Sequence, residues 1–203
     1  MTSAIWQRYG KKLEAVSFVW DSSIGKKVLG TNVVLLLWTD GRRRIPVGVR
    51  IWQKGGKSKL KLAEEMLWEA HRRGVTPRYV LFDAWYSGES VLNLLNRFGW
   101  QYCTRVKKNR LFEGVRIDKT FRHHYGRKTG SLKRIGHPIL IVKDGERYLL
   151  TNNLELTSGE VISFALQHEP LPSLQQLAFG LQQLLPSFFI AHESVADCEL
   201  PTA

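Results

Sequence analysis

Residues 58–73 and 88–98 carry the feature that most restricts the fold. Each is an amphipathic helical stretch closed by glycine, and each runs within a few residues into a short apolar segment. In the first, Leu60, Ala63, Met66, Leu67 and Ala70 fall on one face, and Gly74 and Pro77 end the helix before RYVLFD (78–83). In the second, Val91, Leu92, Leu94, Leu95 and Phe98 share a face, and Gly99 closes it before WQYCTRVK (100–107). A strand, a crossover helix and a second strand pair in parallel with a right-handed connection. The chain is therefore expected to build an α/β sheet.

The segments on either side are β-like. EAVSFVW (14–20) reads as a strand, VLGTNVVLLLWT (28–39) as a longer one, and IPVGVRIWQ (45–53) as its return across an Asp40-Gly41 turn. PILIVK (138–143) and ERYLLTN (146–152) flank Asp144-Gly145 as a second hairpin. Residues 108–137 are basic and polar, an insertion-like segment with a short strand near GVRI, and SGEVISFAL (158–166) begins like a helix. Beyond it, Leu174, Leu177, Leu181, Leu184 and Leu185 have helical spacing between prolines.

The strand at 78–83 ends on a carboxylate. Asp83 reads two ways: as a turn or cap for the helix that follows, or as an active-site acid, since open α/β sheets carry their sites at the carboxyl ends of strands. Charge bears on the choice. All 30 Lys and Arg lie before residue 154 with 12 of the 18 acids, a net +18, whereas residues 154–203 hold six acids and no Lys or Arg. A basic body of this kind predicts a polyanionic partner, most often nucleic acid. Cys103 and Cys198 lack metal-ligand spacing and fit a reducing cytoplasm. The start MTSAIWQRYGKK has no apolar signal core, and the longest apolar run, VVLLLW, is too short to span a bilayer, so no membrane partner is expected.

GKKLEAVSFVWD (10–21), YVLFDAWYS (79–87) and WQYCTRVKKNR (100–110) resemble the DDE transposases of bacterial insertion sequences, in the group with a β-rich insertion before the last acid. The resemblance implies a ribonuclease H-like mixed α/β sheet flanked by helices, incomplete here. Residues 1–107 would form the core with its first strand missing, 108–157 the basic β-rich insertion, and 158–203 an atypical tail. It also implies DNA as partner, self-association, and strand cleavage and transfer with two Mg²⁺ or Mn²⁺ ions held by three carboxylates. Asp83 matches the second acid and is the expected catalytic and metal-ligating residue. Arg105, Lys107, Lys108, Asn109 and Arg110 match a region that meets the DNA backbone, against the plain reading of an exposed charged loop. Arg42, Arg43 and Arg44 carry the same two readings. Trp85 and Tyr86 read as packing aromatics or as a stacking surface for a base.

The other two acids are not found where the resemblance puts them. The strand bearing the first would lie upstream of residue 10. Asp21 ends a strand-like run and is its substitute on order alone. The third belongs on a Tyr-x-x-Arg-Trp-x-x-Glu helix, where this chain reads ALQHEPLPSLQQ. Glu169 is followed by Pro170 and Pro172, which an interior helix does not survive. One reading-frame change near residue 165 accounts for the lost pattern and the lost Lys and Arg together. The expectation is a transposase piece truncated at both ends and inactive as it stands. Its rivals are a non-catalytic DNA-binding protein and a metal-dependent nuclease using Asp21, Asp83 and Glu89 or Glu160. His123 and His124, without ligand partners, read as surface residues.

Overall fold

The computed structural model describes residues 1–7, 16–21 and 25–168. Four strands come first: β1 (Thr2–Gln7), β2 (Ser17–Asp21), β3 (Lys26–Thr39) and β4 (Arg44–Trp52). The long β3 is antiparallel to all the others, with β1 along Gly30–Leu35 on one edge, and β2 along Lys26–Gly30 and β4 along Asn32–Thr39 on the other. The Asp40-Gly41 turn forms as its chemistry predicts. Asp40 Oδ1 accepts from the backbone N–H of Arg42 and Arg43 at 2.9 and 2.7 Å, and Gly41 takes φ 93°.

Helix α1 (Lys59–Arg72) starts at Ser58, whose Oγ accepts from the Lys61 N–H at 3.1 Å, and it buries Leu62, Ala63, Met66, Leu67 and Ala70. β5 (Val80–Phe82), α2 (Glu89–Arg97) and β6 (Tyr102–Arg105) follow, with β5 parallel to β6 in the register Leu81↔Cys103. Gly74 and Gly99 close the two helices at φ 76° and 70°, the left-handed conformation that a helix end favours in glycine.

β7 (Leu111–Phe112), β8 (Val115–Arg116) and a short α3 (Ile117–Thr120) lead into β9 (Tyr125–Gly130), β10 (Ile139–Asp144), β11 (Arg147–Thr151) and α4 (Ser158–His168). The second sheet has the order β5-β6-β11-β10-β9, in which β5–β6 is the parallel pair. Both of its faces are covered, and the strands show it by alternation. Tyr102, Ile139, Ile141 and Leu150 point into one core with α1 and α2, while Cys103, Leu140, Val142 and Leu149 point into another under α4. The mixed sheet flanked by helices is the α/β class expected.

Two observations bear on the expected division of the chain. Residues before 14 were expected to supply no strand, yet β1 pairs with β3, and the Met1 backbone nitrogen donates to the Leu81 carbonyl, so β1 starts beside β5. Its sequence, TSAIWQ, contains no acid. The basic stretch 108–137, read as insertion-like, places Phe112, Ile117, Phe121, Leu132 and Ile135 in the core that α1 and α2 share. The β6–β11 ladder likewise runs across the boundary drawn at 107. The leucine spacing beyond Leu174 and the tail from 169 onward lie outside the described residues. Among the described residues no helix is long and apolar enough to cross a membrane.

Candidate functional site

Asp83 is the first residue past β5, half-buried at the strand's carboxyl end. Its turn-forming role is present: Oδ1 accepts from the Trp85 N–H at 2.7 Å, and its carbonyl accepts from Tyr86 N–H at 3.1 Å. From β6, the buried Thr104 hydroxyl stands 2.8 Å from the Phe82 carbonyl and 3.3 Å from that of Asp83. One carboxylate oxygen is thus committed to the loop, and the other has no hydrogen-bond partner among the described residues.

The loop after Asp83 is rigid. Tyr86 is fully buried and so packs rather than stacking on a ligand. Ser87 Oγ donates to the Ala84 carbonyl at 2.8 Å, and the Arg110 guanidinium donates to the Ser87 carbonyl. A Cβ on Gly88 would sit 3.3 Å from Leu60 Cδ2, so the loop lies tight against the start of α1. Trp85 nevertheless remains 59% exposed.

Cations gather around it. Lys59 Nζ and Lys107 Nζ each lie 5.7 Å from the Trp85 ring centroid, and Lys59 lies 5.7 Å from the Trp52 ring as well. Partial burial holds the Lys59 ammonium below its usual range, while the Asp83 carboxylate pulls the other way. The turn that carries Lys107 is fixed by Arg110 N–H to the Lys107 carbonyl at 3.2 Å and Asp118 N–H to the Lys108 carbonyl at 3.1 Å. Lys107, Lys108 and Asn109 project from it into solvent. Arg105 is half-buried, and so is Arg110, which serves the Ser87 carbonyl and lies near Glu89 and Tyr102. Of the five residues expected together, three are open to a partner and Arg110 is a brace. Lys59 and Thr104 were not expected. They come from distant segments, and no spacing in the chain marks them.

The remaining candidates are elsewhere. Asp21 pairs with Lys26 at the start of β3 in the four-stranded sheet, whereas Asp83 follows β5 of the five-stranded sheet. Arg42–Arg44 lie at the other end of β3, where Arg44 pairs with Thr39. Glu89 faces Arg134 at 3.7 Å. Glu160 completes a capping box at the start of α4, accepting from Thr157 N–H at 2.8 Å and returning its own N–H to Thr157 Oγ1 at 3.3 Å. His123 and His124 are exposed. Glu169 lies outside the described residues. Among the described residues no three His, Cys, Asp or Glu side chains stand where they could hold a metal ion.

A sequence model of DDE superfamily endonucleases matches residues 3–144. The chain belongs to this family. No curated protein matches it. The DDE superfamily acts on DNA by transposase-like cleavage. Its members use divalent metals. The donors present around Asp83 in this DDE domain do not fit a two-ion centre: they are a single carboxylate, half engaged by the Trp85 N–H, with a lysine as neighbour.

Proposed function

We propose that this DDE domain derives from an insertion-sequence transposase and holds a DNA strand across the carboxyl ends of β5 and β6 without breaking it. The observation that carries the reading is the fixed turn presenting Lys107, Lys108 and Asn109 beside a lone Asp83. Lysines on a pinned turn attract phosphates with strong salt dependence and little sequence preference. Arg105 adds charge behind them, and Arg110 keeps the turn in register with the Asp83 loop. Asp83 is the residual catalytic and metal-ligating position, a single acid where strand transfer needs three. The rival in which Asp21 joins Asp83 in a nuclease is disfavoured because no three His, Cys, Asp or Glu side chains among the described residues stand where they could hold a metal ion.

Two measurements on the purified chain test this. Duplex affinity should fall steeply with salt, and Lys107→Ala should weaken it for every sequence and lower the log–log salt slope by about 1. Supercoiled plasmid with Mg²⁺ or Mn²⁺ should remain intact. Nicking that disappears in Asp83→Asn would show a working centre, and binding indifferent to salt would remove DNA as the partner.

A further inference from the structure

Trp85 occupies an unusual position. An indole more than half exposed normally sits on a pliable loop, but every neighbour of Trp85 in the chain is tied down. Its own N–H is held by Asp83 Oδ1 at 2.7 Å, Tyr86 is fully buried, and Ser87 is bonded through both its hydroxyl and its carbonyl. Two separate segments converge on the ring: Lys59 at the start of α1, whose ammonium also lies over Trp52 at the end of β4, and Lys107 after β6. Packing does not require this, since the ring contributes little to the core. A rigid aromatic face flanked by two ammonium groups combines the parts that recognise an unpaired nucleotide: a surface for the base and cations for the phosphates on either side of it.

We propose that Trp85 is a stacking platform for one unpaired base of a DNA strand, with Lys107 and Lys59 meeting the adjoining phosphates, so that the domain prefers a frayed or overhanging end to an intact duplex. The inference rests on the DNA-binding reading above and adds to it a substrate class, single-stranded ends, that the basic turn alone does not select. Stacking is sequence-tolerant, because every base offers a π face, so the preference is for unpaired bases of any kind.

The test compares three probes at one salt concentration: a blunt duplex, the same duplex with a three-nucleotide 3′ overhang, and that overhang with abasic residues. The wild-type chain should bind the overhang on the order of 10-fold more tightly than the abasic version, the size expected for one stacked base. Trp85→Ala should lose that preference and still bind the blunt duplex. Trp85→Phe, which keeps a smaller aromatic face, should retain part of it, and both variants should match the wild-type circular dichroism, since the ring is exposed. Equal affinity of the wild type for the base-bearing and abasic overhangs overturns the platform and leaves the basic turn standing. An undiminished preference in Trp85→Ala does the same. Loss of binding to all three probes by the wild type overturns both readings.

Discussion

The two sheets of this domain are built from similar apolar material and bury it very differently. In the five-stranded sheet Ile139, Leu140, Ile141, Leu149 and Leu150 are all 0% exposed, because helices or loops cover both faces. In the four-stranded sheet β3 is buried along its middle, but the strands beside it leave Phe18 73%, Trp20 62%, Ile45 50% and Ile51 49% exposed. Two-sided cover makes the first sheet the anchor of the domain, and the Asp83 loop is hung from its parallel edge. The difference predicts where substitution hurts. Leu149→Ala should cost about 2–5 kcal/mol, the usual range for emptying a buried leucine site. Ile51→Ala should stay within about 0.5 kcal/mol, as surface changes do. Urea unfolding of the two variants checks this, and equal midpoints would erase the distinction between the sheets.

Glycines sharpen the same contrast at smaller amplitude. A Cβ on Gly130, in edge strand β9, would meet Glu113 Oε1 at 2.6 Å and Phe112 Cζ at 2.7 Å. Phe112 is 2% exposed and cannot swing away, and Glu113 is already engaged by the Ser131 N–H and hydroxyl. Gly130→Ala should therefore cost about 1–3 kcal/mol by overpacking. On β4, a Cβ on Gly48 would meet Met66 Sδ at 2.9 Å and Cγ at 3.0 Å, atoms of an unbranched and adaptable side chain. Gly48→Ala should be milder, and thermal melts of the pair should rank them in that order.

The parts of this architecture that could be read from the chain are those fixed by local chemistry. Both helices, their glycine ends, the Asp40-Gly41 turn and the strand ending at Asp83 each follow from residues within one or two turns of each other. β1 and β9 could not be read, since TSAIWQ and YGRKTG are too polar and too short to show a period, and only their partners β3 and β10 make them strands. Phe112, Ile117, Phe121, Leu132 and Ile135 have no regular spacing either, so nothing local marks them as core. The site divides in the same way. Asp83, Lys107 and Lys108 stand in one recognisable stretch or another, but Lys59 reaches Trp85 from a helix start that the crossover alone brings near. Arg110 looked like one more phosphate contact, and only its bond to the Ser87 carbonyl reveals a brace.

Helix α4 offers the finest test of two-sided cover, because it lies on the second face and its start depends on one capping box. Thr157 Oγ1 and the Glu160 carboxylate satisfy each other's backbone N–H groups, and losing such a cap in Thr157→Ala should cost about 1 kcal/mol. Hydrogen bonds from the Thr157 hydroxyl and N–H, with Arg78 as a weaker cause, hold the Glu160 carboxyl below its ordinary value of 4.5. A folded value lower than the unfolded one means this contribution is complete above pH 4.5 and is lost as pH falls through the folded value. Glu160→Gln should flatten that acid limb and leave neutral-pH binding to DNA unchanged. Beneath the helix, Cys103 Sγ lies 3.7 Å from the Val161 carbonyl, and burial pushes its thiol up to about 12. It should resist alkylation in the native chain, and peptide mapping separates its modification from that of Cys198. If α4 is the cover, Thr157→Ala should raise the alkylation rate at Cys103 by about 5-fold at neutral pH, the factor that 1 kcal/mol gives to the opened population. An unchanged rate would mean that the second face opens by some route other than the start of α4.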